Sequence, residues 1–230
     1  AGGGGRREAA AGGCVETPTF SGLGDGADGG GGLAMDLSAA RSRNLEVGSK
    51  WHAQSGARLE AALFRADTDD ELAVASNSGG RSTYRNIGRT RRQGAEASYV
   101  QPLGAQTELA VAYTWIEATV RDAYPLCGTA GCNTVQADAR LPGVPRQQWN
   151  ARMQYTPGPW QWAAELVASS DTVVNDLATE KAAGYALLNL EAARRWQTPQ
   201  GTLRAFARID NLLDQRYIGS VIVNDGNQRY

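Results

Sequence analysis

The chain has 230 residues, 42% of them hydrophobic and 20% charged, a balance that excludes a disordered or collagen-like polymer. Its 23 basic residues stand against 24 acidic ones, which gives no electrostatic footprint for a phosphate backbone, so no nucleic-acid partner is expected. His52 is the single histidine, which leaves a multi-histidine metal site or a Ser-His-Asp relay almost nothing to use.

No apolar run exceeds about five residues, far below the length a membrane-spanning helix needs. The chain opens AGGGGRREAA, with no Met and no apolar signal core, and is expected to be processed or part of something longer. Glycine supplies 28 residues, and 13 of these fall within the first 32. Residues 1–39 therefore read as a Gly-rich irregular lead with one possible strand. Gly24, Gly26 and Gly29 satisfy G-x-G-x-x-G, but no apolar strand precedes them and no amphipathic helix follows, so a flexible loop is expected rather than a dinucleotide site. Asp25 and Asp28 resemble calcium ligands of a glycine repeat, yet a single copy cannot stack into a solenoid.

From Asn44 onward the pattern changes to period two. Leu45, Val47 and Trp51 alternate with polar neighbours, then Leu59, Ala61 and Leu63, then Ala95, Ala97 and Tyr99. The same alternation places Leu109, Val111, Tyr113 and Trp115 on one face, followed by Trp149, Ala151, Met153 and Tyr155. Trp160, Trp162, Ala164 and Leu166 continue it, then Leu188, Leu190 and Trp196, and last Leu203, Ala205, Ala207 and Ile209. Short turns at 53–56, 102–106, 156–159 and 198–201 alternate with long polar excursions around 67–93, 121–146 and 169–184. An up-and-down meander with a short-turn end and a long-loop end follows.

Two features decide which face meets what. Trp51, Tyr99, Tyr155, Trp160, Trp162 and Trp196 all lie close to a short turn, at the constant level that a membrane interface favours. Trp115 and Trp149 lie farther away and mark an opposite girdle. The polar face mixes both charge signs, among them Glu46, Lys50, Glu60, Arg152, Glu165, Glu191, Arg204 and Arg208, which suits a wet lumen. A strand of about 10 residues tilted by about 40° spans roughly 25 Å, the apolar height of a transmembrane barrel. The fold class expected is all-β, with about 8 to 10 antiparallel up-and-down strands of a partial transmembrane barrel. The alternative is a soluble all-β binding module with its aromatic residues in a core.

ETPTF (16–20), ARSRNLEVGSKW (40–51), IGRTRRQGAEAS (87–98), LPGVPRQQWNARMQY (141–155) and RIDNLLDQRYIG (208–219) occur in this order. They resemble strand segments from the C-terminal part of the barrel of TonB-dependent outer-membrane receptors, the last two most specifically. The resemblance runs from about Val15 to Tyr230 and implies that residues 40–230 form that part of the barrel. Residues 1–12 do not look like the family's strand at that point. The family's plug domain, TonB-contacting box and final strand have no counterpart here, so a fragment unable to transport alone is expected. The resemblance implies a bacterial outer-membrane location, lipid around the barrel, and active import of a scarce nutrient, most often a ferric siderophore or similar metal chelate. It also implies coupling to the TonB energy-transducing complex through the plug. A passive pore or adhesin-type barrel is the alternative; LPGVP and NLLDQRY argue against it. The nucleophile-elbow, P-loop and H-E-x-x-H patterns are absent, so neither an enzyme nor a cofactor is expected.

Cys127 and Cys132 flank GTAG in a long excursion, where a disulfide fits an oxidising exterior. The alternative is a two-thiol metal site with Asp122 as the nearest carboxylate. The acidic run Asp67, Asp69, Asp70 and Glu71 and the basic run Arg85, Arg89, Arg91 and Arg92 are expected on facing hairpin arms. They serve either to attract an anionic chelate or simply to pair across strands. Arg85, Arg89, Asn175, Asp176, Asn224 and Asp225 are the loop residues expected to face a ligand.

Overall fold

The computed structural model describes residues 4–18, 34, 36–78, 81–128 and 131–225. The glycines of the G-x-G-x-x-G pattern, Asp25, Asp28 and the end of ETPTF lie outside them. Nine strands form one antiparallel sheet: β1 (Gly4–Glu16), β2 (Ala40–His52), β3 (Arg58–Asp69), β6 (Thr90–Pro102), β7 (Thr107–Val120), β10 (Gln147–Tyr155), β11 (Trp160–Ser169), β14 (Tyr185–Thr198) and β15 (Gly201–Ile209). They pair in chain order, and β1 and β15 stand at the two edges. Three hairpins rise from the long excursions: β4 (Leu72–Ser78) with β5 (Arg81–Asn86), β8 (Tyr124–Gly128) with β9 (Gly131–Val135), and β12 (Thr172–Val173) with β13 (Lys181–Ala182). The eight segments read from period two are eight of the nine wall strands.

The ninth, β1, runs over Gly4–Glu16, within the lead expected to be irregular with one possible strand. It pairs with β2 along its whole length, from Gly4 with His52 to Glu16 with Ala40. Ala9 and Ala11 sit opposite Val47 and Leu45, so β1 does alternate in space. Glycine, alanine and arginine carry too little contrast for the alternation to show in sequence, and the neighbouring strand supplies the pairing that local propensity does not.

The ladders are staggered. Trp51 pairs with Leu59, Leu59 with Tyr99, Tyr99 with Val111, Val111 with Ala151, Ala151 with Leu166 and Leu166 with Leu188. This row begins beside a short turn on β2 and ends near the long-loop end of β14. Such a stagger is the register signature of strands tilted in a barrel wall.

Exposure runs opposite to that of a soluble sandwich. Leu63 (65% exposed), Leu203 (59%), Val47 (54%) and Met153 (50%) stand open along one face, where burial would otherwise stabilise each by about 2 kcal/mol. That face needs an apolar solvent. The buried apolar cluster lies instead among the loops, where Ile87, Ala118, Val120, Val135 and Leu141 pack with Tyr124, Leu126 and Leu177.

Candidate functional site: the ionic inner wall and the loop cap

The face opposite the apolar one is a ladder of ion pairs. Lys50 lies 3.7 Å from Glu8 and 3.9 Å from Glu60 across adjoining strands. Farther along, Glu191 accepts from Arg152 at 3.1 Å and Arg204 at 2.7 Å, and Glu165 from Arg208 at 2.6 Å and Asn189 at 3.1 Å. Arg204 and Arg208 alternate with outward-facing Leu203, Ala205 and Ala207 on β15, and Glu191 with Leu190 and Ala192 on β14, so period two alone puts them on this side. A groove of about 880 Å³ runs along it, lined by Glu8, Lys50, Glu60, Glu96 and Ser98 among others.

On the same wall, Phe64 is the register partner of Gly94. A Cβ at Gly94 would lie 2.7 Å from the Phe64 ring and closer still to the Trp115 carbonyl oxygen. Gly94 belongs to the segment IGRTRRQGAEAS, and the close approach of the ring over bare backbone is why glycine stands there.

Above the wall, the long excursions bind to one another. Arg85, on β5, forms an ion pair with Asp176, and their side chains are 19% and 2% exposed. Asn224 Nδ2 donates to Asp176 Oδ2 at 3.0 Å and to the Val74 carbonyl at 2.8 Å. In return, the Asp176 amide donates to Asn224 Oδ1 at 3.1 Å. Asn77 Nδ2 donates to the Val223 carbonyl at 2.7 Å, and the Arg85 guanidinium lies 5.1 Å above the Tyr124 ring. Burial first, and then the Asp176 charge, push the Tyr124 phenol up to about 12. Three segments far apart in sequence are thereby clasped. The LPGVP segment joins them: Leu141 donates its amide to Ala118 at 2.9 Å, and Gly143, at φ 80°, donates to Val173 at 2.8 Å.

Of the residues expected to face a ligand, Arg85, Asp176 and Asn224 are thus drawn together and used within the cap. Arg89 forms a two-pronged bond to Asp122, at 2.9 and 2.6 Å. Asn175 bonds the Thr179 hydroxyl at 2.8 Å and amide at 3.1 Å, closing its own turn. Asp225 is bridged to Asn77. The acidic and basic runs face each other across antiparallel strands: Asp67 and Arg91 are register partners on the wall strands β3 and β6, paired at 2.6 Å. Arg92 and Glu71 pair at 2.8 Å beside them. Cys127 and Cys132 are register partners joined by a disulfide across the β8–β9 turn. Cys14 is free and exposed. Among the described residues no group of three His, Cys, Asp or Glu side chains is placed to hold a metal ion.

Asn77 and Tyr124 were not read from the sequence. Asn77 bonds a residue 146 positions away, and no local pattern marks such a pair.

The nine-strand wall matches solved structures. It overlays the copper transporter OprC with a TM-score of 0.72 and 17% identity, over 96% of this chain and 33% of that one. It overlays the ferric-catecholate import receptor Fiu from E. coli K12 at 0.67 and 21%, over 96% and 30%. The siderophore receptor PiuA from Acinetobacter baumannii matches at 0.65 and 20%, over 82% and 26%. The chain therefore spans about a third of the length of these structures or less. The model of the TonB-dependent receptor-like β-barrel matches residues 9–212, which takes in all or part of every strand described. The chain belongs to the TonB-dependent receptor family and forms neighbouring strands of its β-barrel.

Proposed function

We propose that the chain is part of a bacterial outer-membrane receptor that imports a scarce nutrient, most specifically a ferric siderophore or similar metal chelate, with energy from the TonB complex. The observation that carries this reading is the two-sided wall: apolar side chains turn outward at 50–65% exposure, and paired charges line the opposite face. Such a wall separates lipid from a watery passage. Structures of a copper transporter and of siderophore receptors share its fold, which supports a metal complex as cargo.

Arg85, Asp176 and Asn224 hold the cap in shape, while Arg89, Asn175 and Asp225 border ligand access at the rim. The described strands form an open arc with β1 and β15 unpaired to each other, so transport requires further strands and a plug, and this chain alone carries nothing across. Uptake of radioiron on a panel of siderophores, in a strain lacking its own receptors, tests the reading. The complete reading frame restores uptake only when TonB is present, and the 230-residue chain restores none. Equal uptake without TonB would establish a passive pore instead.

A further inference from the structure

Arg194 lies on the outward face of β14, in step with Leu190, Ala192 and Trp196, near the short-turn end. Its guanidinium carbon is 4.9 Å from the centre of the Trp160 ring and 5.1 Å from that of Trp196. The arginines of the inner wall described above each meet a carboxylate. Arg194 meets none among the described residues, and its Nε is buried without an acceptor. A cation on a lipid-facing surface is costly unless an anion answers it, and the aromatic girdle marks the depth at which phosphates lie.

A groove of about 420 Å³ opens on the same face; Arg194 does not line it, but Ala192, in the next register row, does. Trp162, Ala192 and Ala207 are successive register partners across three strands, and Leu190, Ile209 and Tyr155 wall the space above small alanine side chains. Ala192 is two residues from Arg194, a rise of about 7 Å along the strand. That is the spacing at which a chain lying in the groove would bring its headgroup over the guanidinium.

We propose that this site binds one glycerophospholipid of the periplasmic leaflet, with its phosphate on Arg194 between the two indoles and an acyl chain in the alanine-floored groove. Short turns lie at the periplasmic end of such barrels, which fixes the leaflet. The assignment rests on this wall facing lipid.

Native mass spectrometry of the protein expressed from its complete reading frame and extracted from outer membranes in mild non-ionic detergent tests it, with phosphatidylglycerol and the matching diacylglycerol as probes. The wild type retains one phosphatidylglycerol and binds the diacylglycerol about tenfold more weakly, because only the first offers a charged acceptor. Arg194→Gln loses phosphatidylglycerol by about tenfold while Arg194→Lys, which keeps the charge, loses less. Ala192→Leu fills the groove and weakens both lipids. Heat-modifiable migration of each variant establishes that it is folded. Equal retention by the wild type and Arg194→Gln overturns the proposal, as does displacement of the lipid by inorganic phosphate, or a lipid-free dimer that Ala192→Leu dissociates. A wild type that folds as a compact monomer without detergent would instead refute the lipid-facing wall itself, a separate failure.

Discussion

On the wall, Leu63, Leu203 and Val47 stand 65, 59 and 54% exposed, whereas in the loop excursions Ile87, Val174 and Val173 are only 2, 2 and 0% exposed. One chain thus solves the burial problem twice. The strands leave their apolar side chains to the surrounding solvent and spend their polar ones on each other. The loop cap builds a small interior of its own, as a soluble domain does, and seals it with the Arg85–Asp176–Asn224 clasp. The wall therefore depends on register and on apolar surroundings for its outer face, and the cap on individual long-range pairs. Damage to one region should leave the other standing.

The largest effect expected is at Gly94. Gly94→Val forces a side chain into the Phe64 ring and the Trp115 carbonyl, an overpacking that costs about 3 kcal/mol or more. Heat-modifiable migration should be lost, and cap mutations should not rescue it. Gly48 sharpens the contrast: it sits on the same face of the same sheet, on β2, but a Cβ there would meet the Ala61 carbonyl at 3.3 Å. Gly48→Ala should cost no more than about 1 kcal/mol. Equal damage at the two positions would show that the ring over bare backbone is not what Gly94 provides.

Next comes the clasp. Asp176→Ala leaves the Arg85 guanidinium partly buried without its carboxylate, at a cost of about 3–5 kcal/mol to the cap. Limited proteolysis should then open residues 72–86, 172–182 and 220–225 together, while the wall keeps its migration. Removing both charges should cost less than removing one, since the penalty lies in the unpaired charge. Cleavage confined to 172–182 would break the view that the three segments are one unit.

These two regions also differ in how far they could be read beforehand. Eight wall strands follow from period two because each outward Leu, Val or Trp is separated by one polar residue from the next, a local signal that tertiary context does not alter. Strand β1 was hidden because Gly, Ala and Arg give no contrast, and its register comes entirely from β2. In the cap the informative partners are distant: Asn224 bonds Val74 across 150 positions and Asp176 across 48. Polar residues in loops announce only that they are polar. Asp176 read as a candidate ligand contact, yet it is 3% exposed, and only the fold shows what it faces. Arg194 carries no signal of its own in the sequence, where one charge in an apolar row looks like an interruption; the indoles of Trp160 and Trp196 on either side give it its place.

A smaller effect belongs to the Cys127–Cys132 bridge. It closes a loop of 5 residues in sequence separation, so reduction should cost the β8–β9 hairpin about 2 kcal/mol and leave the wall unchanged. Hydrogen exchange should rise over residues 124–135 and not over 107–120. Exchange spreading into β7 would tie hairpin and wall more closely than their hydrogen bonding shows.

The smallest effect is a pH dependence confined to the cap, and its sign differs at the two ends of the scale. The side-chain bonds from Arg89, and then the Arg89 amide, hold the Asp122 carboxyl down to about 2 from its ordinary 3.8. A depressed carboxyl adds stability above its ordinary value, and that contribution is lost as pH falls through about 2. Both side chains are well exposed, so the effect should be slight and weakened by salt. Tyr124 runs the other way. Its phenol is pushed up to about 12 from 10.0, by burial and then by the Asp176 charge, so the folded cap favours the neutral form. That contribution is full below pH 10 and is lost as pH rises towards about 12. The protection of the cap amides, with the intrinsic pH dependence of exchange divided out, should therefore stay flat between these limits and fall outside them. Asp122→Asn should reduce the acid limb, to which the lowered Glu71 and Asp171 carboxyls also contribute, and Tyr124→Phe should abolish the alkaline limb alone. If Tyr124→Phe leaves the phenolate absorbance titration of the folded protein unchanged at its alkaline end, Tyr124 is not buried against Asp176, and the cap is looser than the wall it covers.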